Sequence, residues 1–248
     1  MSDAPIRLAV FDCDGTLVDS QHSIIACMEA AFVAAGLEAP AAEAVRRVVG
    51  LPLAASVARL SPQLAAAECQ RVAELYKQAF TDMRRGNPID EPLFPGVREL
   101  LAALESEGVV LGVATGKGRR GLRITLEHHG LLDRFVTLQT ADDAPGKPHP
   151  EMLRRAMAET GADPATTAMV GDTTYDILMA LSARTAAIGV AWGYHPPHEL
   201  RAAGAHAVVD AAHEVPLAWL RVAEAAAAEP ARPRGTPWDA GSSGSPSG

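Results

Sequence analysis

Short apolar runs alternate with stretches of helical period along this chain, and a parallel sheet wrapped by helices is the arrangement that accommodates such a rhythm. The runs Ile6–Phe11, Val109–Ala114, Phe135–Leu138, Ala168–Val170 and Ala186–Val190 predict five strands. Between them Val97, Leu100, Leu101 and Leu104 fall at i, i+3, i+4 and i+7 and stop at Gly108. That spacing predicts one buried helical stripe closed by a glycine cap. Leu153, Ala156, Met157 and Thr160 repeat it before Gly161, with Pro150 suited to the first helical turn.

From about Val18 to Pro88 the rhythm breaks, since this stretch is long, helix-rich and without a strand pattern. It reads as a helical cap, residues 18–88, inserted into a core formed by residues 1–17 and 89–228. Its first helix carries Ile24, Met28, Ala31, Phe32 and Ala35 on one face up to Gly36, and a later one runs roughly from Pro62 to Arg84. From Glu229 to Gly248 the composition shifts to Pro, Gly and Ser, which predicts a disordered tail. The chain shows no internal repeat.

Composition bounds the partners. With 248 residues, 48% hydrophobic and 21% charged, the chain can bury one core plus a smaller unit. A formal net charge of -8 argues against nucleic acid as a partner. Cys13, Cys27 and Cys69 form an odd set with no metal spacing, which predicts reduced thiols and no zinc. No basic segment followed by an apolar run opens the chain, and no stretch suits a bilayer, so no membrane partner and a cytoplasmic location are expected.

The chemistry gathers where the apolar runs end. The first stops at Asp12-Cys13-Asp14-Gly15-Thr16, two acids separated by one residue. Like carboxylates this close repel, and burying them is costly without a cation. A hard divalent ion such as Mg²⁺ meets that need with oxygen ligands and leaves room for phosphate oxygens; a polar strand end capping a helix is the plainer alternative. Thr115-Gly116-Lys117 follows the second run with a hydroxyl and free backbone N–H groups that suit phosphate oxygens, or a simple strand-to-helix turn. Gly146-Lys147-Pro148-His149-Pro150 holds one lysine before a helix, as a point charge for a phosphoryl group or as a solvated loop residue. Gly171-Asp172 follows the fourth run, with Asp176 four residues on, as a metal site or as helix capping. All four segments fall on the carboxyl edge of one sheet, where open α/β folds bind ligands.

Asp12-x-Asp14-Gly15-Thr16, Thr115, Lys147-Pro148 and Gly171-Asp172-x-x-x-Asp176 resemble, in order, the four signature motifs of the haloacid dehalogenase superfamily, over roughly residues 6 to 227. The layout is most similar to phosphoglycolate phosphatases. The resemblance implies a three-layer, Rossmann-like parallel sheet of order 3-2-1-4-5 and a helical cap of the first type. It implies a Mg²⁺-dependent phosphomonoesterase acting on a small phosphorylated, phosphoglycolate-like metabolite. Asp12 would be the nucleophile that forms an aspartyl phosphate, and Asp14 the acid that protonates the leaving alkoxide and then, as carboxylate, activates water. Asp12, the Asp14 backbone carbonyl and Asp172 would hold Mg²⁺, with Asp176 supporting them from behind. Thr115, the Gly116 N–H and Lys147 would hold the phosphoryl oxygens.

Asp14 argues against halide displacement, which needs no proton donor for an alkoxide. A phosphosugar mutase keeps the same acid and stays open, as do an inorganic pyrophosphatase and a non-enzymatic binding protein. For the leaving group, Arg46 and Arg47 before the turn Gly50-Leu51-Pro52 are expected over the cleft, with Lys117 as a further candidate; solvated helix arginines are the alternative. Arg184 stands where similar phosphatases have a helix-capping glycine, and a left-handed residue there costs about 1 kcal/mol. Asp142-Asp143, His128-His129 and Tyr194-His195 read as solvated or packing residues.

Overall fold

The structure is a computed structural model that describes residues 5–86 and 91–228, so the tail expected at 229–248 lies outside the described residues. Six parallel strands form one sheet in the order β3-β2-β1-β4-β5-β6: β1 Leu8–Phe11, β2 Val110–Thr115, β3 Phe135–Thr140, β4 Thr167–Gly171, β5 Ala186–Val190 and β6 Ala207–Val209. The expected five-strand order is present, and the short β6 extends it at one edge.

The inner strands β1, β2, β4 and β5 are buried on both faces, which is why they read as continuous apolar runs, while the outer β3 leaves Val136 exposed and β6 is half-buried. In β1, Ala9 and Phe11 face one layer with Leu101, Leu122 and Trp219, while Leu8 and Val10 face the other with Leu153, Met169 and Ile177. The first layer is built from α5 (Val97–Ser106), α6 (Arg119–His128) and α10 (Val215–Ala228), the second from α7 (Glu151–Thr160), α8 (Thr174–Ala183) and α9 (Pro197–Ala202). Full burial of each large side chain stabilises by about 1.5–3 kcal/mol. The glycine read as ending α7 does so: Gly161 is left-handed at φ 76. Arg184 also takes that conformation, at φ 62, and caps α8 despite its side chain.

Between β1 and α5 four helices share a separate apolar cluster: α1 (Gln21–Ala34), α2 (Ala42–Arg46), α3 (Leu53–Leu60) and α4 (Ala66–Gly86). Ile24, Met28, Ala31 and Phe32 of α1 pack there on Val45, Val57, Cys69 and Val72. The chain leaves and re-enters the core side by side. Val18 bridges Leu93, the Asp19 N–H donates to the Pro92 carbonyl at 2.8 Å, and the Phe94 N–H donates to that of Leu17 at 3.0 Å. Two neighbouring backbone crossings thus carry the helical unit over the carboxyl edge of the sheet.

Candidate active site

The strand order reverses between β1 and β4, so the carboxyl ends of these two strands open a crevice that nothing in the sheet fills. Asp12 follows β1 and Asp172 follows β4, and both are buried. The Asp12 Oδ1 accepts the Cys13 N–H at 2.7 Å, and its Oδ2 lies 2.6 Å from Lys147 Nζ. Asp172 Oδ1 accepts the Thr16 hydroxyl at 2.8 Å, and its Oδ2 accepts the Tyr194 N–H at 2.9 Å. Glycine permits this crowding: a Cβ on Gly15 would stand 2.3 Å, and one on Gly193 2.4 Å, from Asp172 Oδ2.

Asp176 sits differently from its expected place behind the ligands. Thr173 caps α8 and Asp176 closes a capping box, its Oδ2 accepting the Thr173 N–H at 3.0 Å and the Thr173 hydroxyl at 2.7 Å. That turn points Oδ1 back at the strand ends, 2.7 Å from Lys147 Nζ. One carboxylate oxygen from each of Asp12, Asp172 and Asp176 lies within 4.8 Å of the others. The Asp14 carboxylate is outside this cluster, since its Oδ1 accepts the Ser20 hydroxyl at 2.6 Å and lies 2.7 Å from Lys117 Nζ.

Three buried acids around one lysine leave the charge uncompensated. Burial, with Asp176 and Asp14 adding to it against the pull of Lys147, pushes the Asp12 carboxyl up to about 6. Burial, then Asp176 and Asp12, raises Asp172 well above the usual carboxylate range. Burial alone would lower Lys147, but Asp12 and Asp176 outweigh it and the ammonium is held charged. Donors that are all oxygen and short of positive charge suit a hard divalent cation.

Thr115 ends β2 fully buried, with its hydroxyl accepting the Lys117 N–H at 3.2 Å. Lys117 is in the site but not free: besides Asp14 it lies 3.8 Å from Glu91, and these acids outweigh the cost of its burial and keep it charged. Asp12, Asp14, Thr115, Gly116 and Lys117 form the floor of a cavity of about 840 Å³ whose far wall is the helical unit. The turn Gly50-Leu51-Pro52 does reach the cleft. A Cβ on Gly116 would stand 2.9 Å from the Gly50 carbonyl oxygen, and one on Gly146 would stand 2.2 Å from Pro52 Cγ.

Arg46 and Arg47 do not line this cavity, which corrects the expected placement. Arg46 bonds Gln21 and Glu43 at 3.0 Å each. Arg47 pairs with Glu199 of α9 at 2.7 Å, and its carbonyl accepts the Tyr175 hydroxyl at 3.0 Å. Its backbone and side chain are both spent on fastening the cap to the core. His195 joins this fastening. Its Nδ1 accepts the Thr174 N–H at 3.2 Å, which places the ring proton on Nε2, 3.3 Å from the Arg47 carbonyl.

The sequence pattern leaves Tyr194-His195 as solvated or packing residues and does not single out Trp192, Ser20 or Glu91. The segment 192–195 packs, but it also wraps the site: Trp192 Nε1 donates to the Thr16 carbonyl at 3.1 Å, and Tyr194 bonds Asp172 and lies 3.3 Å from the Ser20 hydroxyl. Its signal was its position directly after β5, on the same carboxyl edge as the other motifs. Asp143 pairs with Arg119 at 2.5 Å, and His128 and His129 meet edge to face with centroids 4.8 Å apart, as packing residues do.

A buried carboxylate cluster around one lysine at the switch point of a capped parallel sheet is the arrangement on which the comparisons with known proteins bear. A family model described as haloacid dehalogenase-like hydrolase matches residues 9–190, and the chain belongs to that family. It is 41% identical to "Probable phosphatase IndB" of Dickeya dadantii over 84% of this chain and 91% of that one. It is 32% identical to the phosphoglycolate phosphatase of Vibrio vulnificus strain YJ016, over 85% and 94%. Among solved structures, a hydrolase from Pseudomonas syringae superposes with a TM-score of 0.76 at 26% identity, covering 87% of this chain and 98% of that one. With such relatives along most of its length, the chain is a phosphatase of this family.

Proposed function

We propose that the protein is a Mg²⁺-dependent phosphomonoester hydrolase that works through an aspartyl phosphate on Asp12. The observation that carries this reading is the meeting of Asp12, Lys147, Asp172 and Asp176 at the sheet's switch point, with Asp14 facing the cavity from the next turn. The Asp12 carboxylate attacks phosphorus and the bond from phosphorus to the leaving oxygen breaks. Asp14 gives that oxygen its proton. Asp14, now a carboxylate, takes a proton from water as the water oxygen attacks the aspartyl phosphate, which releases inorganic phosphate and restores Asp12. Ser20 and Lys117 fix the Asp14 carboxyl for both transfers. Lys147, Thr115 and the Gly116 N–H bind the phosphoryl oxygens, and the closed cap excludes bulk water.

Asp12, Asp172 and Asp176 would hold Mg²⁺ by their side chains and the Asp14 carbonyl would add a backbone ligand. The ion supplies charge neutralisation for the acid cluster and for the phosphoryl group. The substrate is a small phosphorylated metabolite, the protein works without a nucleic acid or membrane partner, and no helix among the described residues is long and apolar enough to cross a membrane. Asp172→Ala tests the metal arm: turnover of p-nitrophenyl phosphate should stop in chelator for the wild type, and the variant should need far more Mg²⁺. Full turnover after exhaustive chelation would overturn the reading.

A further inference from the structure

The cavity above the phosphoryl site is far larger than its smallest candidate substrates need. At about 840 Å³ it lies within the range of roughly 300–1,000 Å³ for sites that enclose drug-sized ligands. A glycolate leaving group, about five waters in size, fills on the order of 150 Å³. One stretch of the wall is apolar, with Met28, Val49, Ala73, Tyr76 and Phe80 of the cap and Ile124 of the core, and polar residues such as Gln70 and Thr81 line the rest. Two rings stand together on one helix, Tyr76 and Phe80, with centroids 5.8 Å apart and planes at 29°.

The cations of the cavity are not disposed for a small carboxylate beside the phosphate. Lys117 is taken by Asp14 and Glu91, and Arg84 lies 3.3 Å from Glu91. Both also lie over the Phe80 ring, at 5.3 and 4.5 Å from its centroid, which fixes that ring in place. Arg120 has no acid partner among the described residues, but it is exposed at the mouth, and Lys77 and Arg85, which also line the cavity, are exposed and paired with Glu74 and Asp82. The Tyr76 hydroxyl has no hydrogen-bond partner among the described residues although its ring lines the cavity, so it is free to meet a polar atom of a bound group.

We propose that this phosphatase selects phosphomonoesters whose leaving group carries a planar aromatic or heteroaromatic ring, seated against Phe80 with a polar ring substituent at the Tyr76 hydroxyl, and that two-carbon esters such as 2-phosphoglycolate are poor substrates. The inference rests on the phosphatase reading above. It assigns the bulk of the binding energy to the apolar wall of the cap and none to Arg46 or Arg47.

The test compares kcat/KM for ethyl phosphate and 1-naphthylmethyl phosphate, both primary alkyl esters of similar leaving-group basicity, with 2-phosphoglycolate as the third substrate and Mg²⁺ present. Burial of a bicyclic ring predicts a preference of about thirtyfold or more for the naphthylmethyl ester over each of the others. Phe80→Ala, and Phe80→Leu as a milder variant that keeps apolar volume, should reduce that ratio at least about fivefold. The ratio is unaffected by a general loss of active protein. A wild-type ratio below about three, a preference for 2-phosphoglycolate, or a ratio unmoved in both variants overturns the proposal. Acetyl phosphate, whose leaving group is too small to use the cap, reports on the chemistry alone. Its turnover lost in Asp12→Asn with the ring preference absent defeats only this inference, whereas turnover that survives Asp12→Asn defeats the mechanism as well.

Discussion

Asp12→Asn, the substitution that should end turnover, should also make the metal-free protein more stable. Burial first, then Asp176 and Asp14, raise the Asp12 carboxyl from 3.8 to about 6 even with the opposing pull of Lys147 included. A raised carboxyl favours the folded state fully below about 3.8, and that contribution is lost as pH rises through about 6. Each unit is worth about 1.4 kcal/mol, so the ionised group costs the native state about 3 kcal/mol at pH values well above its own. Asparagine has the same shape, keeps an acceptor for the Cys13 N–H and never ionises. In EDTA the variant should match the wild type near pH 4 and exceed it by about 3 kcal/mol at neutral pH, or by roughly 6–12 °C in Tm. Thermal and urea unfolding at three pH values measure this. Saturating Mg²⁺ should narrow or invert the gap, because a ligand at a hundredfold excess over Kd adds about 2.7 kcal/mol to the form that binds it. A variant no more stable than the wild type in EDTA at neutral pH, or a difference that ignores pH, would refute the claim that uncompensated charge is stored at Asp12.

Three other outcomes follow from single contacts. Lys147→Ala strips the ammonium from between Asp12 and Asp176, at 2.6 and 2.7 Å, and should lower metal-free stability by about 3–5 kcal/mol and kcat by about 10²–10³, read by unfolding and steady-state assay. Arg184→Gly relieves a left-handed residue at φ 62 and should gain about 1 kcal/mol, measured as a higher Tm with kcat unchanged. Burial, and then the Arg47 charge, lower His195 below its ordinary 6.5, so its contribution to stability is present above that value and lost as pH falls; the wild type should lose more Tm between neutral pH and pH 5.5 than His195→Gln does.

The sheet was legible because β1, β2, β4 and β5 are buried on both faces and read as unbroken apolar runs, with Leu8, Ala9, Val10 and Phe11 all inaccessible to solvent. Ile6, at 41% exposed, precedes β1 and is not part of it, since an apolar letter alone does not place a residue in the ladder. β6 escaped because Ala207–Val209 is three residues long and lies half-buried on the sheet edge. The floor of the site was legible for a related reason: Asp12, Thr115 and Asp172 are each the first polar residue where a strand stops or the one that stops it. Partners brought in from elsewhere left no local trace. Glu91 meets Lys117 and Arg84 from beside the crossing where the chain re-enters the core, and Ser20 meets Asp14 across the first crossing between cap and core. Arg47 misled because spacing cannot tell which side of a five-residue helix faces a cleft; Glu199 and Tyr175, more than a hundred residues away in sequence, turn it outward.

Borohydride trapping during turnover is the most direct test of covalent catalysis. An acyl phosphate is reduced to an alcohol, so an aspartyl phosphate leaves homoserine at its position, which peptide mass spectrometry locates. With p-nitrophenyl phosphate and Mg²⁺ present, homoserine should form at position 12 and at no other aspartate, and should be absent without substrate or in EDTA. Rapid turnover with no homoserine at position 12 under quench conditions that trap a known acyl phosphate, or modification at Asp14, Asp172 or Asp176 in its place, would contradict the account.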